Sequence, residues 1–236
     1  MIDWAQIDTV FLDMDGTLLD LHFDNHFWLE HMPRRYAEYH GLAPETARAH
    51  LNAHYARHAG TLNWYCLDFW SSELALDIVQ LKEEVAHLIA VRPDVPAFLQ
   101  AVRAAGRRMV MVTNAHPKSL GLKMRETRID TYFDALLSSH QVGLPKEHPD
   151  FWQGLQAIEP FDKTRTLFVD DSLPVLESAQ AYGIAQLLAV CNPDSRQSHK
   201  DCGEFVGITS FEQVMPVPRR SPDPVLSLAK GAVRCS

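Results

Sequence analysis

The sequence predicts an α/β fold: a doubly wound parallel sheet with a helical unit inserted early in the chain. Three observations lead to it. Five short apolar runs (residues 10–12, 109–112, 135–137, 166–169 and 186–190) each end in polar residues. Runs without polar alternation suit parallel strands that are covered on both faces. Helical periods lie between them, and the spacing between the first two runs is too long for one crossover.

The helices are legible from their ends. Val95, Phe98, Leu99 and Val102 recur at helical spacing, with Asp94 placed to cap the start and Gly106 to stop the end. Over residues 173–182, Ser172 is the expected cap, Pro174 suits the first turn and Gly183 ends the helix. Strand alternating with helix is the signature of a doubly wound sheet.

The insertion follows from arithmetic. The first strand ends at Asp13 and the next begins near Arg108. A strand–helix–strand unit needs about 30 residues, so roughly 60 to 70 are surplus. They fall between Leu21 and Val91, in helix-compatible stretches at 27–32, 36–40, 44–58, 64–76 and 78–89. The expected organisation is a core of residues 1–21 and 92–215, a helical cap of residues 22–91, and a loosely held Pro-rich tail at 216–236. A separate N-terminal domain is excluded, because the first strand precedes the insertion.

Composition narrows the function. The chain has 236 residues, 46% hydrophobic and 22% charged, ordinary values for a globular enzyme. A formal charge of -8 disfavours a nucleic-acid partner, whose phosphates need clustered Lys and Arg. It leaves room for one small anionic ligand bound locally by helix N-termini, a lysine and a cation. Cys66, Cys191, Cys202 and Cys235 show no C-x-x-C spacing, so free or buried thiols in a reducing compartment are expected rather than a disulfide framework or zinc cluster. Without an N-terminal signal pattern or a run of about 18 apolar residues, a cytoplasmic protein with no membrane partner is the expectation.

Four features carry chemistry. Asp13-Met14-Asp15-Gly16-Thr17 follows the first strand directly. Ligands of open α/β sheets bind outside the carboxyl ends of the strands, and carboxylates two residues apart can converge there. Gly16 permits the turn, and a hard cation such as Mg²⁺ would relieve the repulsion between the acids. Asp170-Asp171-Ser172 holds the same position after another strand; one acid more than a helix cap requires points to a metal role. Thr113 and Asn114 end a third strand, ahead of a helix opened by Pro117, and offer neutral hydrogen bonds to phosphate oxygens. Lys146, after Pro145, can neutralise a carboxylate and a phosphate together.

Asp13-x-Asp15-Gly16-Thr17, Thr113, Lys146 and Asp170-Asp171, in this order, resemble the four motifs of the haloacid dehalogenase (HAD) superfamily of phosphohydrolases, over about residues 8 to 190. That resemblance implies a Rossmann-like core and a cap inserted after the first motif. Residues 13–27, 61–68, 113–117 and 166–172 are further similar to the bacterial GMP/IMP nucleotidases, which implies a purine nucleoside monophosphate as substrate. It also implies roles. Asp13 is the nucleophile and forms an aspartyl-phosphate. Asp15 is the acid and base, so its pKa must be raised when substrate binds. Thr113 and Lys146 hold phosphoryl oxygens, with Asn114 a further candidate. Mg²⁺ is held by Asp13, the main-chain carbonyl of Asp15 and Asp171, with Asp170 ligating directly or from behind. Dehalogenases of the superfamily lack the second aspartate, so Asp15 favours phosphate esters.

Specificity falls to the insertion. Phe23, Phe27, Trp28, Trp64, Tyr65, Phe69 and Trp70 serve either a purine or the insertion's own core. Asn63, Trp64 and Tyr65 are the candidates for substrate contact, although Trp64 and Trp70, six apart, do not share a helical face. His50, His54 and His58 form one helical stripe, read as solvent-facing because no acidic or cysteine partner stands beside it in sequence. A phosphosugar phosphatase or phosphomutase with the same motifs remains an alternative, as does a non-catalytic interaction protein on this scaffold. Oligomeric state is not encoded legibly.

Overall fold

A computed structural model describes residues 2–219. Its six strands are β1 (Thr9–Leu12), β2 (Arg108–Thr113), β3 (Ala135–Ser138), β4 (Thr166–Asp170), β5 (Gln186–Val190) and β6 (Val206–Ile208). They form one sheet in the order β3-β2-β1-β4-β5-β6, and every neighbouring pair is parallel. The five expected strands are all present. β6 adds a sixth at the edge: it is three residues long, with Gly207 at its centre, and leaves little apolar signal.

The helices are α1 (His22–His26), α2 (Met32–His40), α3 (Pro44–His58), α4 (Leu62–Tyr65), α5 (Leu67–Leu74), α6 (Ile78–Glu84), α7 (Val95–Ala104), α8 (Pro117–Thr127), α9 (Ser139–Val142), α10 (Phe151–Ile158) and α11 (Leu173–Tyr182). A widened π-helical turn at Phe27–His31 joins α1 to α2.

Strand periodicity sorts the core into two layers. Val10, Leu12, Met109, Met111, Leu167 and Val169 face one way, against α7 residues Phe98, Leu99 and Val102. Phe11, Val110, Val112 and Phe168 face the other way, against Phe151, Trp152 and Leu155 of α10 and Val175 and Leu176 of α11. The helices between β1 and β2 gather a third cluster around Phe23, Phe27, Leu51, Trp70 and Ile78, which Leu122 of α8 joins.

Several local expectations are corrected. Residues 64–76 are not one helix: the chain breaks at Cys66 between α4 and α5. Trp70 Nε1 then donates to the Trp64 carbonyl at 2.9 Å, and the two rings meet at 6.3 Å. The Ser172 side chain makes no capping bond to α11; its own N–H donates to Asp170 Oδ1 instead. Asp94 does not cap α7, because its carboxylate accepts from Phe211 N, tying β6's trailing turn to the helix. The histidine stripe is not wholly solvated either: His54 meets Glu73 at 2.9 Å, and His58 packs on Phe69 and Trp70.

The thiol reading also changes. Cys191 and Cys202 form a disulfide, because the β5–β6 connection folds back and brings their Cα atoms to 5.7 Å. An 11-residue separation carries no such signal in sequence. Cys66 is the free thiol among the described residues. Of the Pro-rich tail, residue Pro218 is held through its carbonyl by Arg107 at 2.6 Å, while residues 220–236, with Cys235, lie outside the described residues.

Candidate active site

The sheet order reverses between β1 and β4: the chain winds from β1 through β2 to β3, then crosses back to β4. The crevice outside the carboxyl ends of these strands is where such a sheet binds ligands. Asp13 directly follows β1, Thr113 ends β2, and Asp170 ends β4 with Asp171 next. Lys146 arrives from the loop beyond β3 and α9.

Lys146 organises the centre. Its Nζ donates at 2.6 Å to Asp13 Oδ1, at 2.6 Å to Asp170 Oδ2 and at 3.0 Å to the Val112 carbonyl. The ammonium is fully buried, which by itself would lower its pKa; the two carboxylates outweigh that and hold it charged. Burial lifts the Asp13 carboxyl to about 6 against the pull of Lys146, and the neighbouring Asp170 adds to the rise. Asn114, expected among the phosphate contacts, also holds the loop: its Oδ1 accepts from Lys146 N at 2.8 Å, and its Nδ2 donates to Glu147 at 2.9 Å. Thr113 is buried with its hydroxyl oxygen accepting from Ala115 N at 3.0 Å, which leaves its proton for another acceptor.

Asp15, two residues after Asp13, is held by a different lysine. Its carboxylate accepts from Lys123 Nζ at 2.6 Å, and the same ammonium donates to Asp24 at 2.6 Å. Lys82 closes the chain with a 2.8 Å bond to Asp24. Burial raises the Asp15 carboxyl to about 6; Lys123 opposes this, while Asp24 and Asp13 reinforce it. Sequence reasoning missed both lysines. Each lies on a helix at a position that reads as solvent-facing, and each is buried only because α1 and α6 pack over α8.

Asp13, Asp170 and Asp171 offer carboxylate oxygens within 4.8 Å of one another. Three carboxylates face two lysines there, Lys146 and Lys200, the latter 3.0 Å from Asp171 Oδ2. Burial lifts Asp171 to about 6, Asp13 adds to the rise, and Lys200 counters it. An all-oxygen donor set with surplus negative charge fits a hard divalent cation. Asp170 has both oxygens engaged, by Lys146 and by Ser172 N, so Asp171 is the freer ligand. Gly16 makes room for it: at φ +85° the backbone is left-handed, and a Cβ there would stand 2.8 Å from Asp171 Cγ.

Asp15 also lies at the wall of a cavity of about 300 Å³, which the helical segment roofs. Trp28, Tyr55, Trp64, Tyr65 and Trp70 line it, with Asn25 and Ser119 supplying polar edges. Of the three residues expected to touch substrate, Trp64 and Tyr65 line this cavity. Asn63 is exposed and does not. Phe23 and Phe27 belong to the segment's own core, where Lys82 sits 4.7 and 4.5 Å from their ring centres. Tyr65 also donates to Glu147 at 2.9 Å, linking the cavity wall to the Lys146 loop.

Comparison with known proteins agrees with this arrangement. A family model for haloacid dehalogenase-like hydrolases matches residues 7–183. The chain is 40% identical over 215 residues to the GMP/IMP nucleotidase YrfG of Escherichia coli, covering 91% of this chain and 97% of that protein; the Shigella flexneri protein of the same name matches equally. Among solved structures, a HAD phosphatase from Thermococcus onnurineus superposes with a TM-score of 0.72 at 22% identity, over 88% of this chain and 96% of that one. CbbY from Rhodobacter sphaeroides, solved with phosphate, gives 0.62 at 16% identity, over 88% and 96%. Those two establish the fold alone. With the family match spanning most of the described sheet and its site residues, the chain belongs to the haloacid dehalogenase-like hydrolases.

Proposed function

We propose that this hydrolase removes the 5′-phosphate from purine nucleoside monophosphates of the GMP and IMP type. The observation that carries the chemistry is the ion pair between Asp13 and Lys146 at the β1/β4 switch point, with Asp15 turned toward an aromatic cavity beside it. The relative named GMP/IMP nucleotidase supports the substrate class. A flat purine suits a cavity walled by tryptophan and tyrosine rings.

In this reading Asp13 attacks phosphorus in line, and the P–O bond to the nucleoside breaks as the aspartyl-phosphate forms. Lys146 and the Thr113 hydroxyl hold the phosphoryl oxygens. Asp15 donates its proton to the departing 5′-oxygen, which the raised pKa of about 6 equips it to do near neutrality. It then takes a proton from the water that attacks phosphorus and frees Asp13. Asp13, the main-chain carbonyl of Asp15 and Asp171 would hold Mg²⁺, with Asp170 ligating directly or bracing Lys146. When bound, the ion supplies positive charge to the carboxylates and the phosphoryl oxygens.

The organisation proposed with it is a core of residues 1–21 and 92–215 and a cap of residues 22–91. No helix among the described residues is long and apolar enough to cross a membrane. A cytoplasmic setting is part of the proposal. The test is phosphate release from purine and pyrimidine monophosphates and from sugar phosphates, with Mg²⁺ and with EDTA. GMP and IMP are expected to turn over fastest and EDTA to stop release. Turnover of sugar phosphates without GMP or IMP would overturn the substrate assignment.

A further inference from the structure

A second group of ligating side chains lies beside the cavity, apart from the carboxylates. Cys66, His116 and His140 each offer a ligand atom, all within 4.8 Å of one another. They come from three places. Cys66 sits at the break between α4 and α5 in the helical segment, His116 follows β2 at the start of α8, and His140 lies in α9 after β3. In sequence Cys66 reads only as a free or buried thiol.

The hydrogen bonds leave one nitrogen prepared. Ser138 Oγ donates its single proton to the Ala115 carbonyl at 2.7 Å, so it must accept from His140 Nδ1 at 3.3 Å. That places the ring proton on Nδ1 and a bare lone pair on Nε2. Nε2 is buried and has no hydrogen-bond partner. An orphaned imidazole lone pair facing a thiol and a second imidazole is a donor set in search of an acceptor, and a metal ion is the acceptor it fits.

His116 completes the set. Its Nδ1 accepts a long bond of 3.3 Å from Lys118 N, and its Nε2 lies 3.7 Å from Asp68 Oδ2. Asp68 is itself paired with Lys118 Nζ at 2.5 Å. If Nε2 took the metal, the proton would sit on Nδ1 and both the bond from Lys118 N and the contact with Asp68 would be given up; if Nδ1 takes it, only the bond from Lys118 N is lost. If Nδ1 ligates, Asp68 orients the ring through Nε2, the carboxylate–histidine arrangement common behind metal-bound imidazoles.

We propose that Cys66, His116 and His140 form a site for a thiophilic divalent transition metal, zinc foremost, with a fourth position left to water or Asp68. One sulfur and two imidazoles suit zinc and do not suit Mg²⁺. Bonds of about 2.0 to 2.3 Å at tetrahedral angles put ligands roughly 3.5 Å apart, so loading draws the three groups together. Ligation ties the helical segment to the core at the cavity edge, since Cys66 belongs to the former and the histidines to α8's start and α9, which follow β2 and β3. The site does not depend on the substrate proposed above.

Cobalt reports it directly. The full-length protein is stripped with EDTA, and Co²⁺ is titrated in while absorption is followed. The expected result is a sulfur-to-cobalt charge-transfer band that saturates at one equivalent. Cys66→Ser is expected to abolish the band and Asp171→Asn to leave it in place, separating this site from the carboxylates. His140→Gln is expected to weaken cobalt binding by at least about tenfold, as loss of metal-site support commonly does. Absence of a sulfur band in the wild type overturns the proposal, as does a band that survives Cys66→Ser. Should Cys66→Ser not fold, unchanged cobalt affinity in a folded His140→Gln protein overturns it instead.

Discussion

Lys123 Nζ stands 2.6 Å from Asp15 Oδ1 and 2.6 Å from Asp24 Oδ2, so one buried ammonium joins the proposed acid–base residue to the first helix of the inserted segment. Asp15 therefore has a pKa set from two directions. Burial pushes it up to about 6, and the positive charge of Lys123 restrains the rise.

The sign of a Lys123→Met substitution follows. Removing the positive charge removes the restraint, so Asp15 holds its proton to higher pH. An opposite charge at this range shifts a carboxyl by about one to three units. The alkaline limb of kcat/KM, which reports the acid in the free enzyme, is expected to move up by about one unit or more. The check is a pH–rate profile of both proteins on the same monophosphate. A lysine that served stability alone would leave the limb where it is.

Asp24 obeys the opposite sign. Burial would raise it, but Lys123 and Lys82 outweigh burial and hold it at about 2, below its ordinary 3.8. A depressed carboxyl stabilises the fold above its unfolded pKa and loses that contribution as pH falls through its folded pKa. The shift corresponds to about 2 kcal/mol at neutral pH, largely gone near pH 2. Urea unfolding of the wild type and Asp24→Asn is expected to show a stability gap at pH 7 that narrows steadily from pH 4 to pH 2. A gap independent of pH would detach Asp24 from the lysines.

These two lysines mark where sequence reading stopped. The strands were legible because Val10-Phe11-Leu12 and Thr166 to Val169 are apolar on both faces, a pattern a solvated strand does not carry. Asp13, Thr113 and Asp170 were legible for the same reason: each sits where an apolar run ends. Lys146 was legible only jointly with them. Lys82 and Lys123 were not, because a lysine on an amphipathic helix ordinarily faces water. What buries them is the docking of one helix on another, a tertiary event that leaves no local trace. The same holds for Glu147, which links Tyr65 to Asn114 across more than 30 residues in either case. The break at Cys66 was hidden because residues on both sides favour helix.

Gly16 combines two constraints. Its φ of +85° favours glycine, and an added Cβ would lie 2.8 Å from Asp171 Cγ, 2.9 Å from Asp171 Oδ2 and 2.9 Å from Pro193 Cβ. Gly16→Ala is therefore expected to cost roughly 1 to 3 kcal/mol in stability from backbone strain. It also pushes Asp171 off its position, so the Mg²⁺ concentration for half-maximal activity is expected to rise. Thermal melts and a Mg²⁺ titration of activity check the two effects separately. Unchanged Mg²⁺ dependence would mean that Asp171 yields without moving its oxygens.

The adjacent acids Asp170 and Asp171, the first buried and the second partly exposed, are expected to fail differently. Asp170 spends Oδ2 on Lys146 and Oδ1 on Ser172 N. Asp170→Asn removes a charge partner from a buried lysine, which costs on the order of 3 kcal/mol when a buried pair is broken, less what Asp13 still supplies. Asp171 is held by Lys200, which bonds both its carboxylate and its main-chain carbonyl and whose side chain is 37% exposed. Asp171→Asn thus leaves the central ion pair intact and removes the carboxylate most available to a cation. The expected outcome is a large loss of chemical stability for Asp170→Asn. For Asp171→Asn it is near-native stability with at least about a tenfold higher Mg²⁺ requirement, by the usual worth of a metal-site interaction. Urea unfolding without metal and activity against Mg²⁺ concentration measure the two. If the variants exchanged these behaviours, Asp170 would be the direct ligand and Asp171 the support.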